Sequence, residues 1–133
     1  MTATLSATLQ ELVRPVPTLK PSATCREALR LMFQHPEARC MAVCSREGGP
    51  VGLLMNERFF LRSAGSTGSA MPYHEPVSSL MNRMPLTVDI EMPLESVKEL
   101  AAARALPFRS DCIIVTDQGR FCGVVYAGDL DRI

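Results

Sequence analysis

The stretches "GVVYAGDL" (123–130) and "GLLMNERF" (52–59) share one plan. Each sets a glycine before a short apolar run, followed by a polar turn suited to opening a helix. They differ at one informative position, where the later stretch has Asp129 and the earlier has Arg58. A shift of 71 residues places Gly52 on Gly123 and carries "MAVCSREGGPVGLLM" (41–55) onto "CIIVTDQGRFCGVVY" (112–126). Both segments read as a strand, a glycine-containing turn and a second strand, which is the pattern of a β-hairpin.

The likeness continues upstream with small changes of offset. "TCREALRLMF" (24–33) falls on "PLESVKELAA" (93–102). Thr24 and Glu27 have the spacing of a capping box, in which each side chain bonds the other residue's backbone N–H. Pro93 suits the first position of the second helix, and Leu94, Val97, Leu100 and Ala101 form its apolar face. Pro36 and Pro107 end the two helical patterns. Before them, "LQELVRPVP" (9–17) resembles "VSSLMNRMP" (77–85), each a short amphipathic helix leading into an extended segment. The repeats divide the chain into 1–62 and 77–133. They are joined by a linker, 63–76, rich in serine and glycine and bounded by proline. A three-stranded unit with helices on one face has little core. Two such units closed sheet to sheet bury much more apolar surface.

Composition bounds the functions. Basic and acidic residues number 14 each, so there is no net charge to support general nucleic-acid binding. No apolar run reaches the roughly 18 residues of a membrane-spanning helix, and the N-terminus lacks the basic start and apolar stretch of a secretory signal. The expectation is a cytoplasmic protein whose five cysteines are reduced and mostly buried.

The layout resembles a tandem pair of cystathionine-β-synthase (CBS) domains, a Bateman module. "PVSSLMNRMPLTVDIEMPLESVKELA" (76–101) and "CIIVTDQGRFCGVVYAGDL" (112–130) carry the likeness, and "LVRPVPTLKPSATCREALRLM" (12–32) with "GGPVGLLMNERFF" (48–60) matches more loosely. The resemblance implies an α+β fold: two βαββα-type repeats related by a pseudo-two-fold axis, sheets packed together and helices outside. "RPVPTL", "PVGLLMNERFF" and "PVSSLMNRMPLTVD" also look like pairs that precede bacterial diguanylate cyclase or phosphodiesterase domains. That narrower likeness implies a cyclic-di-GMP signalling context. Because the chain stops a few residues into its last predicted helix, it reads as part of a longer protein with a catalytic domain downstream.

In such pairs an adenine-containing ligand lies between the repeats. The recurring pattern is a glycine, two apolar residues, a hydroxyl residue and, three residues later, an acid that accepts from the ribose hydroxyls. Gly123 to Asp129 follow it except at Tyr126, and the resemblance places the base against Thr87, Val88, Cys112 and Ile113. The expected ligand-binding residues are therefore Thr87, Val88, Cys112, Ile113, Tyr126 and Asp129. AMP, ADP, ATP or a related adenosine nucleotide is the expected ligand, with no fixed cofactor. Asp129 also reads as an acid favoured at a helix start, and Tyr126 as a core-edge aromatic. The first copy has Met55 and Arg58 at the matching positions; Arg58 reads as a solvated helix residue, or as a phosphate contact.

Nothing else suggests chemistry. Cys40 and Cys44 lie on a predicted strand, more than about 10 Å apart, too far for one zinc ion. His35 and His74 have no nucleophile at an interpretable spacing, and Asp111 and Asp117 read as strand-end and turn residues. The expectation is a regulatory module without catalytic or metal-binding residues that forms homodimers through its helices. The alternative is a degenerate pair that only dimerises.

Overall fold

In the computed structural model, which describes residues 8–64 and 73–132, the chain forms two three-stranded sheets. The first contains β1 (Thr18–Leu19), β2 (Cys40–Cys44) and β3 (Pro50–Met55), with β2 in the centre. The second contains β4 (Thr87–Asp89), β5 (Ile113–Asp117) and β6 (Arg120–Val125), with β5 in the centre. In each sheet the first pairing is parallel and the second is an antiparallel hairpin. The helices are α1 (Leu9–Leu12), α2 (Cys25–Gln34), α3 (Asn56–Ala64), α4 (Leu94–Ala102) and α5 (Ala127–Asp131). Part of the predicted linker, 65–72, lies outside the described residues.

Local sequence explains most of these elements. The capping box forms at α2: Thr24 Oγ1 accepts from the Glu27 N–H at 3.2 Å, and the Thr24 N–H donates to Glu27 Oε1 at 3.4 Å. Pro93 sits at the N-cap of α4, one residue before the helical position expected of it, and its carbonyl accepts from the Val97 N–H at 3.2 Å. The predicted second lead-in helix is a single 3₁₀ turn, Val77–Ser79. It closes with the N–H groups of Leu80 and Met81 both donating to the Val77 carbonyl at 3.0 Å, and the chain then extends into the Asn82 bridge with Leu53.

Strand register corrects the alignment by one residue. Val43 faces Gly52 and Val115 faces Gly123, so β3 maps onto β6 with an offset of 71 but β2 maps onto β5 with 72. The second hairpin is one residue shorter. Cys40 is thus equivalent to Cys112, and Arg39 to Asp111. A one-residue slip exchanges the two faces of a strand, so this decides which side chains meet.

Among the described residues three clusters make up the core. Met41, Val43 and Leu54 pack beneath α2 and α3, and Ile113, Val115 and Val125 beneath α4 and α5. The third, Cys40, Leu53, Cys112, Ile114, Val124 and Tyr126, is the seam between the sheets. The central strands are covered on both faces, which is why they read as continuous apolar runs.

The lead-in segments are exchanged. Leu9 lies in the core of the second repeat and Val77 in the core of the first. Arg14 exchanges two backbone hydrogen bonds with Val124 of β6, and Asn82 does the same with Leu53 of β3. Each repeat therefore completes the other, by one symmetric arrangement.

Candidate functional site

This pseudo-symmetry creates two equivalent clefts at the seam. Each contains the start of the last helix of one repeat, the bridging residue of a lead-in, and a residue just before a central strand. Equivalent positions carry different residues, so the clefts differ in shape and charge.

In the cleft at the start of α5, the groups satisfy one another. Arg14 donates through Nε to Asp129 Oδ2 at 2.8 Å and through a terminal nitrogen to Oδ1 at 3.3 Å. Its guanidinium also lies 4.7 Å from the centre of the Tyr126 ring, while that of Arg39 lies 5.3 Å from it. The Tyr126 hydroxyl accepts from the Arg39 N–H at 3.3 Å. The hydrogen-bonded Arg14 guanidinium holds the Asp129 carboxyl below its ordinary range, and the charges of Arg132 and Arg39 act in the same direction. Burial pushes the Tyr126 phenol upward against the Arg39 hydrogen bond.

The cleft at the start of α3 is open. A cavity of about 840 Å³ lies there, walled by apolar residues that include Leu53, Met55 and Phe108. Arg58, Arg62, Arg83 and Arg104 line it, together with the acid Asp111. Arg58 donates to both Asp111 oxygens, at 2.8 and 3.2 Å, and to the Pro107 carbonyl at 3.1 Å. Asp111 is almost completely buried. Arg104 is fixed by the carbonyls of Ala101, Arg109 and Asp111. Burial lowers its pKa, opposed by the nearby Asp111 charge.

Arg58 with Asp111 is thus the charge-inverted equivalent of Asp129 with Arg39. The difference in openness has an equally local cause. Arg14 reaches across the α5 cleft to Asp129, whereas its counterpart Asn82, with a shorter side chain, lines the cavity.

The six residues expected at a ligand site fall in different places. Cys112 lines the open cavity, with its N–H directed to Met55 Sδ at 3.4 Å. Val88 and Ile113 are in the core of the second repeat, and Thr87 is exposed on β4. Tyr126 and Asp129 belong to the Arg14 cleft. Arg58 is exposed on its helix as expected but also pairs with Asp111, which is thus more than a strand-end residue; 53 positions separate them, so no local pattern announces the pair. Cys40 sits beside Cys112 at the seam. The hydrogen bond between the thiols, reinforced by burial, pushes the Cys40 thiol far upward.

Comparison with known proteins gives the same architecture. No curated protein matches the chain by sequence. An uncharacterized conserved protein from Pyrococcus horikoshii is 25% identical with a TM-score of 0.71, over 95% of this chain and 90% of that one. CBSX2 in complex with AMP is 21% identical with a TM-score of 0.68, over 96% and 95%. The cytosolic domain of the Mg2+ channel MgtE in complex with ATP is 24% identical with a TM-score of 0.71, over 92% of this chain and 47% of that one. The CBS domain model matches residues 8–60 and again 77–133, each match beginning at an exchanged lead-in, so the chain belongs to the CBS domain family as a tandem pair.

Proposed function

We propose that this pair is a regulatory sensor that takes an adenosine-type nucleotide between its repeats and controls an attached signalling domain. The observation that carries the reading is the 840 Å³ cavity at the seam. Its size suits a nucleotide-sized ligand. Its apolar wall offers contact to a base and its arginines offer charge to phosphates. Relatives of the same fold were crystallised with AMP and with ATP. CBS pairs are regulatory rather than catalytic modules.

A ligand here touches both repeats, so it favours the relative pose in which both sets of contacts are made. Its effect equals its difference in affinity between poses. The pose passes through α3 and α5 to an output domain, which the sequence likeness assigns to the diguanylate cyclase or phosphodiesterase class of cyclic-di-GMP signalling. Among the described residues no helix is long and apolar enough to cross a membrane.

Homodimerisation is the second reading, and it is compatible with the first. Phe33 and Phe60 project from α2 and α3 at 67% and 42% exposure and meet edge to face at 6.3 Å. Leu61 beside them is 62% exposed. Apolar groups at adjoining helices suit a second copy of the chain.

Calorimetry with ATP, ADP, AMP, S-adenosylmethionine and cyclic dinucleotides, alongside light scattering, tests both readings. Binding of one nucleotide supports the sensor. Silence across the panel from a dimeric protein leaves the dimerisation module.

A further inference from the structure

The charge arrangement of the two clefts bears on how a ligand is read, an inference that rests on the sensor reading above. We infer that the open cleft recognises a chain of two or more phosphates and makes no use of a ribose diol. A carboxylate that accepts from both hydroxyls of a diol needs a free edge. At the start of α5 both Asp129 oxygens are bonded to Arg14. At the equivalent place in the open cleft the residue is Arg58. Asp111 is the one acid lining the cavity among the described residues, and Arg58 engages both of its oxygens. Each carboxylate of the seam is thus committed to an arginine.

The positive groups are in excess. Four arginines face one carboxylate across the cavity. Two are held in place by the fold: Arg58 by Asp111 and the Pro107 carbonyl, and Arg104 by three backbone carbonyls. Arg83 is tied to the Ser78 carbonyl at 2.9 Å, and Arg62 stands exposed on the outer turn of α3. Guanidinium groups match phosphate oxygens in geometry and charge, and prior fixation reduces the entropy lost on binding. Spread over one helix of the first repeat, α3, and two segments of the second, they suit a multiply charged chain better than a single phosphate. A nucleoside triphosphate and inorganic polyphosphate share this chemistry.

Calorimetry on the whole chain separates the outcomes, with ATP, 2′,3′-dideoxy-ATP, adenosine and tripolyphosphate as probes. The expected result is that ATP and dideoxy-ATP bind within about threefold of each other, that tripolyphosphate displaces ATP, and that adenosine binds at least about fiftyfold more weakly. Arg62→Ala, at an exposed position that folding does not need, weakens ATP about fivefold or more. Adenosine binding as tightly as ATP, or a tenfold loss on removal of the ribose hydroxyls, overturns the inference while leaving the nucleotide sensor standing. Tripolyphosphate binding without any nucleotide binding does the reverse. Failure of every probe overturns both.

Discussion

Arg14 and Asn82 hold the same place in the two halves of the molecule. The Arg14 N–H and C=O bond Val124 at 2.7 and 2.9 Å, and those of Asn82 bond Leu53 at 2.9 and 3.0 Å. Their backbones are equivalent, and their side chains decide which cleft is open. Arg14→Asn therefore gives the α5 cleft the residue found in the open one. It frees both Asp129 oxygens and removes one of the two cations stacked on Tyr126. The expected calorimetric stoichiometry with ATP rises from one to two per chain. The new site, unlike the old, is sensitive to loss of the ribose hydroxyls. A stoichiometry fixed at one in the variant contradicts the role assigned to Arg14.

The Arg58–Asp111 pair is asymmetric in exposure, and this sets the consequences of breaking it. Asp111 is 3% exposed and Arg58 46%. Arg58→Ala leaves a buried carboxylate without its partner, and such losses cost about 3–5 kcal/mol when both ions are fully buried. Water already reaches Arg58, so about 2 kcal/mol is the expected loss. Asp111→Asn keeps the shape and removes the charge, so it costs less. Urea midpoints of the two variants against wild type check the order. Arg58→Ala as stable as wild type would mean that the pair contributes nothing.

Much of this architecture is legible in the sequence because each repeat has its own local signals. Thr24 and Glu27 mark a helix start, and Gly52 and Gly123 mark matching hairpins. The exchange of lead-ins is not legible. Leu9 and Val77 look alike in either core, and only the closed structure shows that each serves the other repeat. The two ion pairs of the seam join residues 115 and 53 positions apart, beyond any periodicity. Asp129 was visible through its motif, but Arg14, which occupies its carboxylate, was not. The one-residue shortening of the second hairpin also hid the equivalence of Cys40 and Cys112, although both are cysteines.

The Arg14–Asp129 contact predicts a definite pH dependence. The carboxyl of Asp129 is depressed below its ordinary value of 3.8, chiefly by the Arg14 hydrogen bond. A group depressed in the folded state stabilises the fold above its unfolded pKa. That contribution is lost as the pH falls through the lower folded value. The difference in urea midpoint between wild type and Asp129→Asn is therefore fully present at neutral pH, and it shrinks below about pH 3.8. A gap that widens toward acid pH would contradict the pairing. Salt reduces the gap at pH 7, because Arg14 is half exposed.

Gly52 and Gly123 are equivalent in the repeat but unequal in what surrounds them. A methyl group added at Gly52 meets the side chain of Met81, which has three rotatable bonds and lines the open cavity. One added at Gly123 comes within 2.8 Å of the Arg14 carbonyl oxygen, and the backbone there has a φ of +155°, unfavourable for an alanine. Relief at Gly123 thus requires the lead-in to separate from β6, breaking the two hydrogen bonds between Arg14 and Val124. With them goes the anchorage of Leu9 in the second core. The expected cost of Gly123→Ala is about 3 kcal/mol or more, against about 1–2 kcal/mol for Gly52→Ala. Hydrogen exchange distinguishes the causes: in Gly123→Ala the amides of Arg14 and Val124 lose protection before those of β2 and β3. Equal destabilisation by both substitutions, with Arg14 still protected, would mean that the exchanged lead-in is not held as described.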